Sequence, residues 1–497
     1  ISLGARYAFT PSVSAEGAFN PDFSQVESDA GQIDVNSTFA LFFPEKRPFF
    51  QEGGDLYSTW VQTAYTRSIN DPSFAAKLTG RSGKISVGLI SAIDETTPLI
   101  MPFEERSGFV SLDKSVTNIG RLRYTYNQGS SVGVLLTDRR VVDGGSGSTA
   151  SLDGTTQFWK SWRVDWQGVL SHTEEPDDTA LTSGYNGQTF DKGAHTVDFD
   201  GETFDGYAAT VRLNRVTRSL FSVLRASAWS PTFRADNGFV TRNSAGEVAF
   251  ESYRDFRWER GLVHRFNFGV TTGRIWNWEG VRKDEWVRPG MVVQFTGRYT
   301  VDIGHLMSRE RYRGLEFDRI HETYIRLVGE GSNVFRWGIG WGIQRNHIAR
   351  NLAVPVEGDG HTLSSSAAIF PVERLVIRPQ YYRESLDRSD NGDPIFRAEV
   401  FRTRFNYQFT RELFLRLVVQ YYKEDTYDQT DPTQVEQYQS LSFEPLLTYR
   451  VNPFTLFYIG STHQYEEGDF NDSWRQQTGY RQTSRQFFMK LQYLLNV

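Results

Sequence analysis

The sequence predicts an all-β protein, a transmembrane antiparallel β-barrel of about 24 strands, within a range of about 22 to 26. Three observations carry that expectation. Apolar and polar residues alternate in segment after segment, no amphipathic helix of any length interrupts them, and short and long connections take turns between them. A strand places successive side chains on opposite faces, so each such segment has one greasy and one wet side. In an outer-membrane barrel the greasy side meets lipid and the wet side lines the lumen. Short periplasmic turns close one end and longer extracellular loops the other.

The elements follow in chain order. A first strand over 2–9 runs into the short turn at Thr10 and Pro11, and a long connection occupies 20–73. Further short turns fall at 81–84, 127–130, 160–161, 217–218, 259–261, 330–333, 410–412 and 452–453. Long connections fall near 94–115, 174–203, 231–247, 346–360, 385–395, 425–437 and 466–483. Between them Phe335, Trp337, Ile339, Trp341 and Ile343 alternate with Arg336, Gly338, Gly340, Gly342 and Gln344. Thr403, Phe405, Tyr407 and Phe409 oppose Arg402, Arg404, Asn406 and Gln408, and Leu413, Leu415, Leu417, Val419 and Tyr421 oppose Arg416 and Gln420. At the C-terminal end Phe487, Met489, Leu491, Tyr493, Leu495 and Val497 form the apolar face, with Lys490, Gln492 and Asn496 between them. About 23 strands can be counted this way, and their up–down parity calls for one more strand upstream of Ile1. With neither an initiator Met nor a signal peptide, the chain reads as processed or partial.

Composition narrows the class further. Only 39% of the 497 residues are hydrophobic, mean hydropathy is −0.47, and no apolar run approaches the ~18 residues of a spanning helix. A helical membrane protein is therefore excluded. Aromatics reach 14%, with 37 Phe, 23 Tyr and 12 Trp, enough for girdles at two membrane interfaces. The absence of Cys fits a route through an oxidising periplasm. A net charge of −6 offers nothing to a nucleic acid. No linker or composition break divides the chain, so one barrel over 1–497 is expected, with 20–73 as a long inserted segment. A set of soluble sheets of this size would need a recognisable repeat, and none is visible.

Residues 20–53 read NPDFSQVESDAGQIDVNSTFALFFPEKRPFFQEG. This stretch resembles the signature of a family of large bacterial outer-membrane barrels of unknown function (DUF5916-like). The stretches AKLTG at 76–80, FRADNGFVTR at 233–242 and LLTYRVNP ending at Pro453 add to the resemblance. It implies a barrel in the outer membrane of a Gram-negative bacterium. Members often carry an N-terminal domain similar to a family-9 carbohydrate-binding module. That domain is absent from these residues, so no sugar binding transfers with it, and the family supplies no activity.

The insertion at 20–73 is the first candidate site. It sets Glu45, Lys46 and Arg47 between Phe42-Phe43 and Phe49-Phe50, a charged knot in an aromatic clamp. A barrel this wide leaks unless something blocks it. The segment is accordingly expected either to fold inward as a lumen plug or to stand outside as an ordered loop. As a plug it would pair its charges with lumen groups, and two cations beside one carboxylate would draw in Glu27 or Asp29.

By the alternation, Arg121, Arg123, Arg326, Arg336, Arg402, Arg404 and Arg416 face the lumen, together with Asp302 and Glu322. Such arginines suit either an anionic or glycan solute or a lattice of wall ion pairs. The acidic loop residues Glu174, Glu175, Asp177 and Asp178 stand out, and so does DRSDNGD at 387–393. The second is half of a calcium loop, but Ala398 stands where the twelfth-position glutamate should be, so it reads as an Asn-Gly hairpin loop. The eight His show no zinc-ligand spacing, and there is no nucleophile elbow. No enzyme activity, metal or cofactor is expected.

The expected function is a plugged or gated pore for transport or translocation of a bulky solute, glycan or polypeptide. The alternative is a non-conducting scaffold within a multi-subunit complex. Expected partners are outer-membrane lipid and lipopolysaccharide, and other outer-membrane or periplasmic subunits.

Overall fold

The computed structural model describes residues 2–21, 23, 26–185, 187–452, 455–468 and 480–493. Pro453, most of the connection expected at 466–483, and the alternation at Leu495 and Val497 lie outside the described residues. Among the described residues helix is confined to the single turn Pro48–Gln51 and a few 3-10 turns. One antiparallel sheet of 23 strands accounts for most of the rest. It is an up-and-down meander running from Leu3–Thr10 to Arg481–Tyr493, and in it sheet neighbours are chain neighbours. Two small hairpins, Thr97–Pro102 with Ser107–Leu112 and Thr189–Phe190 with His195–Thr196, sit in the connections instead.

The sheet has an outside and an inside. Leu89, Leu136, Leu170, Leu224, Val287, Ile339 and Leu491 all stand exposed on one face. The ladder makes Leu170 the partner of Tyr207 and Leu224 the partner of Phe250, so the apolar face continues from strand to strand. Leaving a Leu in water costs about 2 kcal/mol, and a belt of such residues is tolerable only against lipid. The other face carries Gln167, Thr210, Arg402 and Gln420. It curls around residues 20–71: Lys77 from Pro72–Ser82 and Arg402 from Pro394–Gln408, strands far apart in the sheet, both touch that stretch. A flat sheet could not bring them to one segment.

The connections depart from the expected pattern in particular places. The stretch 94–115 is not a loop throughout: TPLIMP and SGFVSL pair as a hairpin over a cluster of Leu99, Met101, Val110, Leu112 and Phe199. Connections at 142–145, 278–281 and 313–314 lie at the loop end yet are short. The polar stretches near 346–360 and 385–395 are partly strand, since Phe335–Ala349 and Leu375–Arg388 run well into them. There the ladder rises above the lipid belt, and outward-facing ions fill it: Arg274 and Arg309 flank Glu285 at 2.7 and 3.0 Å, and Arg345 pairs with Asp359 at 2.6 Å. Backbone pairing continues where hydrophobic alternation has stopped, so a reading based on alternation ends these strands too early.

Candidate functional site: the insertion and the inner wall

The insertion leaves strand Val13–Phe19 at the loop end and runs along the inner face down to the short-turn end. Near its start Glu27 accepts from Arg402 at 2.9 Å and from Arg404 at 2.7 Å, and Ser28 donates to Glu444 through its backbone N–H at 3.2 Å. The Gly31 N–H donates to Gln420 at 2.8 Å. Asn36 clasps the strand Phe335–Ala349, donating to the Ile348 carbonyl at 2.9 Å and accepting from the Arg350 N–H at 2.6 Å. On the opposite wall Lys77 reaches the carbonyls of Phe49 and Glu52, while its ammonium pairs with Glu16 at 3.2 Å. At the short-turn end Arg6 pairs with Glu52 and Arg81 with Asp55.

The charged knot pairs mostly within itself. Glu45 accepts from Arg47 Nε and Nη2 at 2.9 and 2.7 Å and from the Thr66 hydroxyl at 2.7 Å. Arg47 spends its remaining donors on the Ile69 and Thr66 carbonyls, both at 2.7 Å, and lies over the Phe50 ring at 4.4 Å. Lys46 pairs with Asp29 at 3.2 Å, and Arg67 pairs with the same carboxylate. Thus Glu45 and Arg47 meet each other rather than wall charges, while Glu27, of the two acids expected to serve the knot, pairs with wall arginines instead. The aromatics divide as well. Phe49 and Phe50 are buried with ring centroids 4.9 Å apart. Phe42 packs on Tyr65 and Phe239 at 5.5 and 5.3 Å, and the Phe43 carbonyl accepts from the Tyr65 hydroxyl at 2.6 Å.

The ladder sets every arginine expected in the lumen opposite the lipid-facing positions of its strand. Arg121 is buried and forks onto Asp153, one arm at 2.9 Å, with Arg123 on the same face. Arg402 and Arg404 hold Glu27, and Arg416 shares that face through its ladder partner Asn406. Arg326 borders a cavity of about 370 Å³ with Arg402, Gly31 and Tyr382. Arg336 lies over the Phe370 ring at 5.6 Å. Asp302 accepts from the Tyr324 hydroxyl at 3.3 Å, and Glu322 faces Arg288 at 3.7 Å. The geometry brings Arg402, Arg404 and Arg416 together with Glu27, but leaves Arg121, Arg326 and Arg336 at separate places on the wall.

Several residues that alternation does not single out hold the interior together. Arg139, fully buried on strand Ser130–Val141, donates through Nε to Asn237 and Thr117, both at 3.0 Å, and through Nη2 to the Ser68 carbonyl at 3.0 Å. Asn237 belongs to the connection 230–244, which folds inward and lies edge to edge with 61–65. There the Tyr65 N–H donates to the Asn237 carbonyl at 2.7 Å and the Phe239 N–H to the Gln62 carbonyl at 2.8 Å. Gln167 clasps Val61 from the wall at 2.7 and 3.1 Å. Phe49, Phe50, Leu56, Tyr57 and Ile69 then cover Ala75, Ile90, Ala92, Ile119 and Leu135, which are apolar residues on the inner face. The sequence did carry a signal for this: in ISVGLISAID both faces are apolar, the mark of a strand covered on both sides.

Burial raises the Glu27 carboxyl, but the guanidiniums of Arg402 and Arg404 outweigh it and hold the group below the ordinary carboxylate range. Burial likewise pushes Glu45 up and is outweighed by Arg47 and Thr66. A carboxyl depressed in the folded state contributes stability above its unfolded value and loses it as pH falls through the folded one. The insertion is therefore expected to stay docked at neutral pH and to loosen only as the pH drops below about 4. Hydrogen exchange of residues 26–47 along an acid series checks this. Loosening already near neutrality would contradict it.

Residues 3–79 match the model of the family described as "Domain of unknown function (DUF5916)", a span that takes in the first strands and the whole insertion. No curated protein matches the chain. Among solved structures it is similar to the FrpB iron transporter from Neisseria meningitidis. For the F3-3 variant the identity is 10% and the TM-score 0.52, covering 84% of this chain and 78% of that one. For the F5-1 variant the values are 9% and 0.52, covering 84% and 79%. The ferric preacinetobactin receptor BauA from Acinetobacter baumannii is similar at 10% identity and a TM-score of 0.48, covering 84% and 77%. At such identities the likeness to FrpB speaks for the fold, which agrees with the lipid-facing belt and the polar interior. The chain is an outer-membrane β-barrel whose residues 3–79 match the DUF5916 model.

Proposed function

We propose that the protein is a gated outer-membrane transport barrel whose pore is plugged by residues 20–71, for a bulky solute, glycan or polypeptide. One observation carries the reading: Ile90, Ile119 and Leu135 are apolar on the face that would line an open pore, and the insertion covers them. Apolar side chains on a lumen wall make sense only beneath a resident cover. The rim of that cover is polar and ionic, held by Glu27, Asn36, Glu52 and Lys77, so it can detach in parts without exposing the whole apolar patch. A cavity of about 390 Å³ beside Asn36, lined by Glu310, Gln344, Arg350 and Glu384, adds a polar recess at the seam between cover and wall. The likeness to the FrpB iron transporter supports a transport barrel.

The test is single-channel conductance in a planar bilayer, comparing the intact chain with one lacking residues 36–56. The intact chain is expected to be silent and the deletion to conduct at a large, steady level. Silence from both, with the barrel shown to be folded by its heat-modifiable mobility, would favour a permanently closed scaffold.

A further inference from the structure

At the loop end, outside the interior just described, two stretches of chain are tied together. The Glu175 N–H donates to the Glu202 carbonyl at 2.9 Å and the Gly201 N–H to the Pro176 carbonyl at 3.3 Å, while Asp177 and Asp200 form an antiparallel bridge. This pairing brings carboxylate oxygens of Glu175, Asp200 and Glu202 within 4.8 Å of one another. The positive charge on hand is already shared. Arg234 meets Glu175 Oε1 at 2.9 Å but also Asp236 at 2.8 Å, and His195 Nδ1 lies 3.0 Å from Glu202 Oε2. Asp200 accepts from the Thr196 hydroxyl at 3.2 Å. A second observation points to a ligand. Glu175 is 5% exposed, and its other oxygen, Oε2, is buried with no protein partner. A buried carboxylate oxygen with no protein partner beside two further carboxylates is costly unless a proton or a cation meets it, and a cation serves all three carboxylates at once.

We propose that Glu175, Asp200 and Glu202 form a divalent-cation site, with Ca²⁺ the best-suited ion. The donors are all hard carboxylate oxygens, with no Cys and no zinc-type spacing, which selects Ca²⁺ or Mg²⁺ over a transition metal. Two of the three side chains are partly or fully exposed, leaving room for the waters that complete six to eight ligands around Ca²⁺. The site lies at the end of the barrel that carries the long loops. Its effect is structural: it holds the connection that supplies Phe199 against Leu99, Met101, Val110 and Leu112 of the Thr97–Pro102 and Ser107–Leu112 hairpin.

The test uses the full chain, purified in detergent and stripped with chelator, titrated with CaCl₂ or MgCl₂ alone in a calorimeter. The intact chain is expected to take up one Ca²⁺ in this region. The double variant D200N/E202Q should lose affinity by at least about tenfold, while D390N in the other acidic loop should leave it unchanged. Protease sensitivity within 178–195 gives a second readout on the unaltered chain, and Ca²⁺ should protect this stretch. No Ca²⁺ uptake, uptake equal in D200N/E202Q, or loss in D390N instead would each overturn the assignment.

Discussion

Glu27→Lys is expected to free the start of the insertion from the wall. Glu27 accepts from both Arg402 and Arg404, and its side chain is 16% exposed. Reversing its charge leaves two guanidiniums facing an ammonium. Breaking such a pair costs about 3 kcal/mol, the low end for a buried one because Arg404 remains about a third exposed. The barrel itself does not depend on this contact, since its ladder hydrogen bonds are untouched. The expected readout is faster hydrogen exchange over residues 26–36 and flickering current in a bilayer, with the thermal unfolding of the strands unchanged. Glu27→Gln should give a weaker version of the same result. If exchange stays slow in both variants, the hydrogen bonds of Ser28, Gly31 and Asn36 hold this part of the segment and the ion pairs are incidental.

Gly238→Ala is expected to be as damaging although it adds a single methyl. A Cβ at this position would run into the Gln62 carbonyl and come within 3.0 Å of the Thr63 Cα, both backbone atoms that cannot rotate away. The 235–239 stretch must then back off from 61–65, which removes the Tyr65–Asn237 and Phe239–Gln62 hydrogen bonds. Asn237 also supplies the oxygen that Arg139 and Thr117 bond, so the shift leaves a fully buried guanidinium short of a partner. Overpacking costs about 1–3 kcal/mol and each lost hydrogen bond about 1 kcal/mol more. Both connections should become protease-sensitive together. Gly246→Ala, where an added Cβ meets nothing within 4 Å, is the matched control and should behave as the unaltered chain. Equal behaviour of the two variants would mean the edge-to-edge contact does not organise the interior.

Residue by residue, the legible part of this protein is the part with a period. Phe335, Trp337, Ile339 and Trp341 announce a lipid-facing strand, and Arg402 and Arg404 fall on its opposite kind of face, because a pleated strand repeats every two residues whatever its neighbours are. The register of Asp302 and Glu322 followed in the same way. The strands through Glu357, Arg388 and Arg397 were harder to read to their ends, since they continue above the lipid as polar ladders in which alternation has no hydrophobic contrast to show. Asp29 and Glu27 were recognisable as the acids the charged knot needs. Their division of labour was not, because it depends on which carboxylate turns to Arg402 and Arg404 and which to Lys46 and Arg67.

The sequence by itself determined the class of the molecule: its strands, its lipid-facing and inner faces, and the oddity of 20–73, all of which are local or periodic properties. Only the tertiary structure decided that this insertion, together with 230–244, turns inward, that Arg139 joins them to the wall, and that Glu175 meets Asp200 and Glu202. These contacts unite residues dozens to hundreds of positions apart, from segments with no repeat of their own. Their partners are chosen by curvature, since a sheet that curls back on itself brings together side chains whose distance no linear pattern records.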